Sequence, residues 1–227
     1  HPDAAIADFL LQEAEKAEPG SLVVLPEYAN AGGLSQPEKL LSALPRADQM
    51  LKQVEELAAR KGIYVSINVL IRRDGKLRNS TYLFDTTGKI AFVYDKVHLP
   101  PAEVNLGIEP GDGSCICDLD GIRFGFMTCY DVYYNEQIEY LASQKPDIIL
   151  IPGYQRGERT DIICAQAKLT AFRCNAYVVR SSYSMGSDEH GGCSMIVAPD
   201  GKMIKNIGKD VGTVSAEIEP LKKYMRS

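Results

Sequence analysis

The run MTCYDVYYNE over 127–136 places a cysteine, Cys129, where an apolar strand, GIRFGFM, gives way to an amphipathic segment. A thiol on such an elbow is a candidate nucleophile. At a strand end it stands clear of the sheet, and the amides opening a following helix favour its thiolate and any oxyanion formed beside it. A thiol is mostly protonated at neutral pH, so it needs a base or a positive neighbour. Two further runs offer them: VVLPEY (23–28) ends an apolar strand with the carboxylate of Glu27, and VYDKVHLPP (93–101) ends another with the ammonium of Lys96. Taken singly, each has a plainer reading, with Glu27 capping a turn, Lys96 a solvated strand end and Cys129 buried packing. All three follow apolar strands, however, and strand C-terminal ends are where α/β proteins gather reactive groups, so together they suggest one shared site.

The elements that must position these groups alternate along the chain. The pattern predicts a helix over about 3–18 that stops before Pro19-Gly20, then a fully buried strand in SLVVLP. Pro45 sits where a second helix can begin, Leu51, Val54, Leu57 and Ala58 recur on one face, and Gly62 is a fitting stop. The strand IYVSINVLI follows, and the turns RDGK and TTGK link it by hairpins to strands near 79–85 and 90–94. After Cys129 come a helix to about 144, the strand DIILIP, a helix over about 158–174, the strand AYVVRSS and a final antiparallel set. Mixed sheets with helices outside them are implied.

At 227 residues and 45% hydrophobic content the chain can bury one substantial core, and no Pro/Ser/Gly-rich stretch divides it. A net charge of -5 with no Lys/Arg cluster argues against nucleic acid or an anionic membrane surface as the main partner. No apolar run approaches a membrane span and the N-terminus carries neither a basic leader nor a signal-type apolar region, so a soluble cytoplasmic protein is expected. The 6 cysteines show no pairing pattern and fit reduced thiols better than a disulfide framework. Cys164 and Cys174, in a helical segment, and Cys193, at the start of a strand, are expected to be core packing.

In this order the three runs resemble the motifs of the nitrilase superfamily of carbon–nitrogen hydrolases, whose triad is a glutamate, a lysine and a cysteine. The likeness extends from about residue 5 to about residue 218 and includes GCSMIVAPDGK (192–202), where the family has a strand and turn of similar wording. It implies one carbon–nitrogen hydrolase domain over residues 1–227, folded as an α-β-β-α sandwich of two mixed sheets face to face with helices on both outer sides. The family begins with a strand inside a sheet, whereas this sequence opens directly on a helix without Met. The expectation is that this first strand lies in a segment missing from the sequence, the alternative being a sheet edge that something else must cover.

The resemblance also implies roles. Glu27 takes the thiol proton as Cys129 attacks the carbon, Lys96 and the backbone amide of Tyr130 hold the oxyanion, and no metal or organic cofactor is required. Glu103, seven residues after Lys96 in KVHLPPAE, corresponds to a second glutamate that orients substrate and lysine, and is preferred over Glu109 in the next turn. His98 is expected to be structural. Tyr133, Tyr154 and Arg156 stand where the family's loops commonly touch substrate, and aromatic walls would suit a partly apolar acyl group. Tyr134 is at least as well read as core. Relatives that take carboxylate-bearing substrates carry arginine shortly after the cysteine; here those places hold Val132 and Tyr133, which disfavours such substrates unless Arg156 or Arg159 reaches in.

The expected activity is hydrolysis of a small linear amide or carbamoyl compound through a thioester, by a homodimer or higher homo-oligomer. A nitrile substrate, acyl transfer to an amine, or a silent interaction protein on the same fold are the alternatives. Cys115 and Cys117 form a C-x-C pair, but a closed zinc site needs four ligands, and His1, His98 and His190 are the only histidines.

Overall fold

A computed structural model of the chain describes residues 2–34 and 36–225; His1 lies outside the described residues. The chain forms two compact units, one ending at Ser114 and the other starting at Cys115.

In the first unit, helix α1 (Pro2–Ala14) is followed by strand β1 (Leu22–Val24), helices α2 (Pro37–Ser42) and α3 (Pro45–Lys61), strands β2 (Tyr64–Arg73), β3 (Lys76–Phe84) and β4 (Ile90–Asp95), and a short helix α4 (Pro101–Asn105). The sheet runs β1-β2-β3-β4, with β1 parallel to β2 and the two hairpins antiparallel. Helix α3 forms as its sequence dictates. Pro45 opens it, Ala47, Met50, Val54, Leu57 and Ala58 are buried, and Gly62 closes it at φ 63, where a left-handed residue lets the chain leave the helix. These side chains share a core with Val65, Ile67, Val69 and Phe84 of the sheet and Ala7 and Ala14 of α1. The TTGK turn presses on α3 so closely that a Cβ at Gly88 would sit 2.4 Å from the Glu55 carbonyl oxygen. β1 departs from expectation: its three residues are half-buried, because it stands at the end of the strand order.

The second unit holds strands β5 (Ile116–Leu119) and β6 (Ile122–Phe126), helix α5 (Asn135–Gln144), strand β7 (Ile148–Gly153), helix α6 (Thr160–Cys174), and strands β8 (Tyr177–Ser182), β9 (Met195–Val197) and β10 (Met203–Asn206). Its sheet order is β10-β9-β8-β7-β6-β5, with β6-β7-β8 parallel and the flanking pairs antiparallel. The central strand β7 reads as a continuous apolar run, and Ile148 to Gly153 are all buried, as expected of a strand covered on both faces. Helices α5 and α6 pack on each other, and α6 lies against β8. Two mixed sheets flanked by helices are the components of the α-β-β-α architecture. No helix among the described residues is long and apolar enough to cross a membrane.

Candidate active site

Glu27 and Lys96 both follow the end of a strand of the first unit. After β1, Leu25 still donates its N–H to the Ser66 carbonyl at 2.8 Å, and Glu27 follows two residues on. The chain then turns sharply, with Tyr28 at φ 56, a left-handed backbone that costs a side-chain-bearing residue about 1–2 kcal/mol. Lys96 comes directly after β4. Its N–H donates to the Asn79 carbonyl at 2.9 Å and its carbonyl accepts the Gly111 N–H at 3.0 Å. Gly111 packs so tightly that a Cβ there would lie 2.2 Å from the Asp95 carbonyl oxygen, so this position must be glycine if Lys96 is to keep its place. Glu103 is on α4.

These three side chains meet. Lys96 Nζ donates to Glu27 Oε1 and to Glu103 Oε1, both at 2.9 Å, and the lysine side chain is 1% exposed. Glu109, by contrast, is exposed and paired with Lys76 at 3.4 Å. Three residues that the sequence did not single out complete the buried network. Asn79 Nδ2 donates to Glu27 Oε1 at 2.9 Å and to Glu103 Oε1 at 3.2 Å. Asn68 Nδ2 donates to Asn79 Oδ1 at 2.7 Å, while Asn68 Oδ1 accepts the Tyr28 N–H at 2.8 Å. Tyr28 Oη donates to Glu103 Oε1 at 2.5 Å. A buried amide must find partners or cost stability, and here the partners are the carboxylates themselves. The available signal was the asparagine inside each of two otherwise β-forming runs, IYVSINVLI and LRNSTYLF.

One ammonium shared by two buried carboxylates does not neutralise both. Burial pushes the Glu103 carboxyl above the ordinary carboxylate range; Lys96 opposes this and the Glu27 charge adds to it. The sign of the linkage follows. A carboxyl raised in the folded state contributes stability below its unfolded pKa, near 4.5, and loses that contribution as pH climbs through the folded value. Glu103→Gln removes this dependence. Urea midpoints of the two proteins should therefore diverge in favour of the variant as pH rises above the ordinary carboxylate range. Divergence in favour of the wild type would show that Lys96 outweighs burial.

In the second unit, Met127 continues the β6-β7 pairing by donating its N–H to the Leu150 carbonyl at 3.1 Å, and Cys129 follows two residues later at φ 46. The segment Cys129–Tyr133 is a 3-10 turn rather than the first turn of an α-helix; Tyr134 is extended at φ -104, and α5 starts only at Asn135. The polar cap on Asp131 explains the break: the Thr128 N–H donates to Asp131 Oδ2 at 2.8 Å and the Asp131 N–H to the Thr128 carbonyl at 3.0 Å, closing a short loop on itself. Cys129 is half-buried, and the local donors beside it are therefore the N–H groups of this turn, not a helix dipole.

Tyr130 is half-buried, with its ring 5.4 Å from that of Tyr133 and 5.6 Å from that of Tyr134, so all three rings form one cluster. Tyr133 is 43% exposed, its hydroxyl bonded to Glu158 and accepting Gln155 Nε2 at 3.1 Å. Tyr154 packs edge-on against Tyr183 at 5.2 Å, and the exposed Arg156 guanidinium lies over its ring at 5.3 Å. Arg159 is engaged with Asp161, at 3.0 and 2.5 Å. Cys115 and Cys117 are buried, and burial pushes the Cys115 thiol up to about 12. No group of three or more metal-ligating side chains is assembled among the described residues.

A model of the carbon–nitrogen hydrolase family matches residues 5–222. The chain is 25% identical over 220 residues to the 2-oxoglutaramate amidase of Bacillus subtilis, covering 94% of this chain and 83% of that protein. Among solved structures it resembles the Nesterenkonia AN1 amidase of the nitrilase superfamily, with a TM-score of 0.78 and 18% identity over 92% of this chain and 82% of that one. A variant of the same amidase in complex with butyramide gives a TM-score of 0.75 at 20% identity, over 92% of this chain and 81% of that one. With nearly its full length matched, the chain belongs to the carbon–nitrogen hydrolase family and is an enzyme that acts on carbon–nitrogen bonds of small amides or nitriles through a cysteine.

Proposed function

We propose that Cys129 is the nucleophile of this enzyme, with Glu27 as its base and Lys96 as a donor to the oxyanion. The substrate is a small linear amide or carbamoyl compound. Glu27 accepts the Cys129 proton as sulfur bonds to the carbonyl carbon, and Lys96 and the Tyr130 amide hold the oxyanion. The Glu27 carboxyl then gives its proton to nitrogen, the carbon–nitrogen bond breaks, and ammonia or an amine departs from a thioester. Water, deprotonated by Glu27, attacks that thioester and releases the acid. Glu103 holds Lys96 in place.

The observation that carries this reading is the buried cluster in which Glu27 and Glu103 both accept from Lys96 at 2.9 Å. An ammonium and two carboxylates are costly to bury, and folded proteins keep such groups chiefly where chemistry uses them. An uncharged acyl group suits the walls best, because Arg156 rests on Tyr154 and Arg159 is occupied by Asp161. The protein is further proposed to act as a homo-oligomer; exposed Tyr140 on α5 and Ile162, Leu169 and Phe172 on α6 support pairing of copies. Thiols in place of disulfides at all 6 cysteines support a reducing, cytoplasmic setting.

The test is mass spectrometry of the intact protein after brief exposure to an amide panel, read beside ammonia release. The panel includes butyramide, which the Nesterenkonia amidase variant binds, and 2-oxoglutaramate, for which the Bacillus relative is named. An acyl adduct that maps to Cys129, with ammonia formed, is expected for butyramide. If no amide, carbamoyl compound or nitrile yields either signal, the reading fails.

A further inference from the structure

Away from the Cys129 turn, two other thiols lie side by side. Cys164 is one turn inside α6, and Cys193 lies in the segment before β9, not in a strand as its sequence suggested. Burial and the neighbouring Cys164 thiol push the Cys193 thiol up, and the Asn206 side-chain amide donates to Cys164 Sγ at 3.4 Å. Both line one cavity of about 280 Å³, together with Thr160, Asp188, Asn206 and Lys209. Cys164 is half-buried and reachable from that cavity, whereas Cys193 is 2% exposed.

The backbone at Cys193 is unusual for a residue with a side chain. Gly191, Gly192 and Cys193 all have left-handed φ, at 68, 64 and 63. Glycine takes this conformation at no cost, while a residue with a side chain gives up about 1–2 kcal/mol per position. The cysteine is nevertheless held there on both sides. Its N–H donates to the Gly208 carbonyl at 2.9 Å, and its carbonyl accepts from Arg180 Nη1 at 2.8 Å. Cys193 is thus held in a strained conformation at the wall of the cavity that Cys164 also lines.

We propose that Cys164 and Cys193 are a peroxide-oxidisable dithiol that closes into a reversible intramolecular disulfide. The Cys164 thiolate attacks one oxygen of hydrogen peroxide, forming an S–O bond as the O–O bond breaks and hydroxide leaves to become water. Cys193 sulfur then attacks the sulfenic sulfur, the S–S bond forms, the S–O bond breaks, and a second water carries away the remaining proton. Two thiols are oxidised, one peroxide is reduced, and a dithiol reductant reverses the reaction by exchange. Cys115 and Cys174 are both buried, with burial pushing each up to about 12, and neither lines this cavity, whereas the half-buried Cys164 opens onto it and can meet the oxidant first.

The experiment uses the full-length Cys129→Ala protein, so that the proposed nucleophile does not consume oxidant, treated with dilute hydrogen peroxide, alkylated and digested. A peptide pair linked through Cys164 and Cys193, lighter by two hydrogens and released by reductant, is expected as the main product, with Cys115 and Cys174 alkylated only after unfolding. In the further Cys193→Ser variant, Cys164 should instead climb to the sulfinic acid. Cys164 and Cys193 that both remain alkylatable, or that over-oxidise without linking in the presence of each other, would overturn the proposal.

Discussion

Cys129→Ala is expected to abolish amide turnover, by more than about 10⁴-fold in kcat, while leaving the fold intact. The side chain is half-buried, so shortening it should change stability by about 1 kcal/mol or less, and the left-handed backbone at φ 46 is no harder for alanine than for cysteine. No other thiol can substitute. Cys115 and Cys174 are buried and protonated, and the Cys164–Cys193 pair faces its own cavity. Steady-state ammonia release from purified variant and wild type, with urea midpoints taken on the same samples, checks both halves. Turnover retained within tenfold would remove Cys129 from the chemistry and with it the proposed thioester.

Lys96→Met should be the most damaging substitution in the first unit. Methionine matches the stem of lysine but leaves Glu27 and Glu103 buried without their cation, and removing one partner of a buried ionic cluster costs about 3–5 kcal/mol. Activity should vanish as well, since the oxyanion loses a donor. The loss should also depend on pH. With the ammonium gone, nothing opposes the burial that pushes the Glu103 carboxyl upward, so the variant's deficit against wild type should shrink as pH is lowered towards the ordinary carboxylate range. Urea denaturation across that interval measures it. A deficit independent of pH would mean that lost packing, not uncompensated charge, is the cause.

Much of this was legible in the sequence because strand ends and turns are local features. Apolar runs that place Glu27, Lys96 and Cys129 just past strands, the TTGK hairpin, and Pro45 with Gly62 bounding α3 are all written within a few residues of the elements concerned. What was not legible depends on distant partners. Asn79 is an ordinary strand residue until Glu27 and Glu103, 52 and 24 residues away, are brought to its amide. β1 reads as buried because Leu22, Val23 and Val24 are apolar, yet its position at the end of the sheet order leaves it half-covered. The segment after Cys129 reads as helix, but the Asp131 cap draws it into a 3-10 turn first. Cys193 looked like a strand residue because the apolar run MIV begins two residues later; the two preceding glycines instead turn the chain left-handed there.

Tyr28 and Cys129 share a property that bears on attempts to make this enzyme more heat-resistant. Both occupy backbone conformations that glycine or asparagine would adopt more comfortably, at φ 56 and φ 46. A selection scored only on survival at high temperature would therefore drift towards smaller residues at these two places. The first would cost the phenol its grip on Glu103, and the second would delete the sulfur. Hardier descendants that have stopped turning over substrate are the expected harvest unless both positions are held fixed.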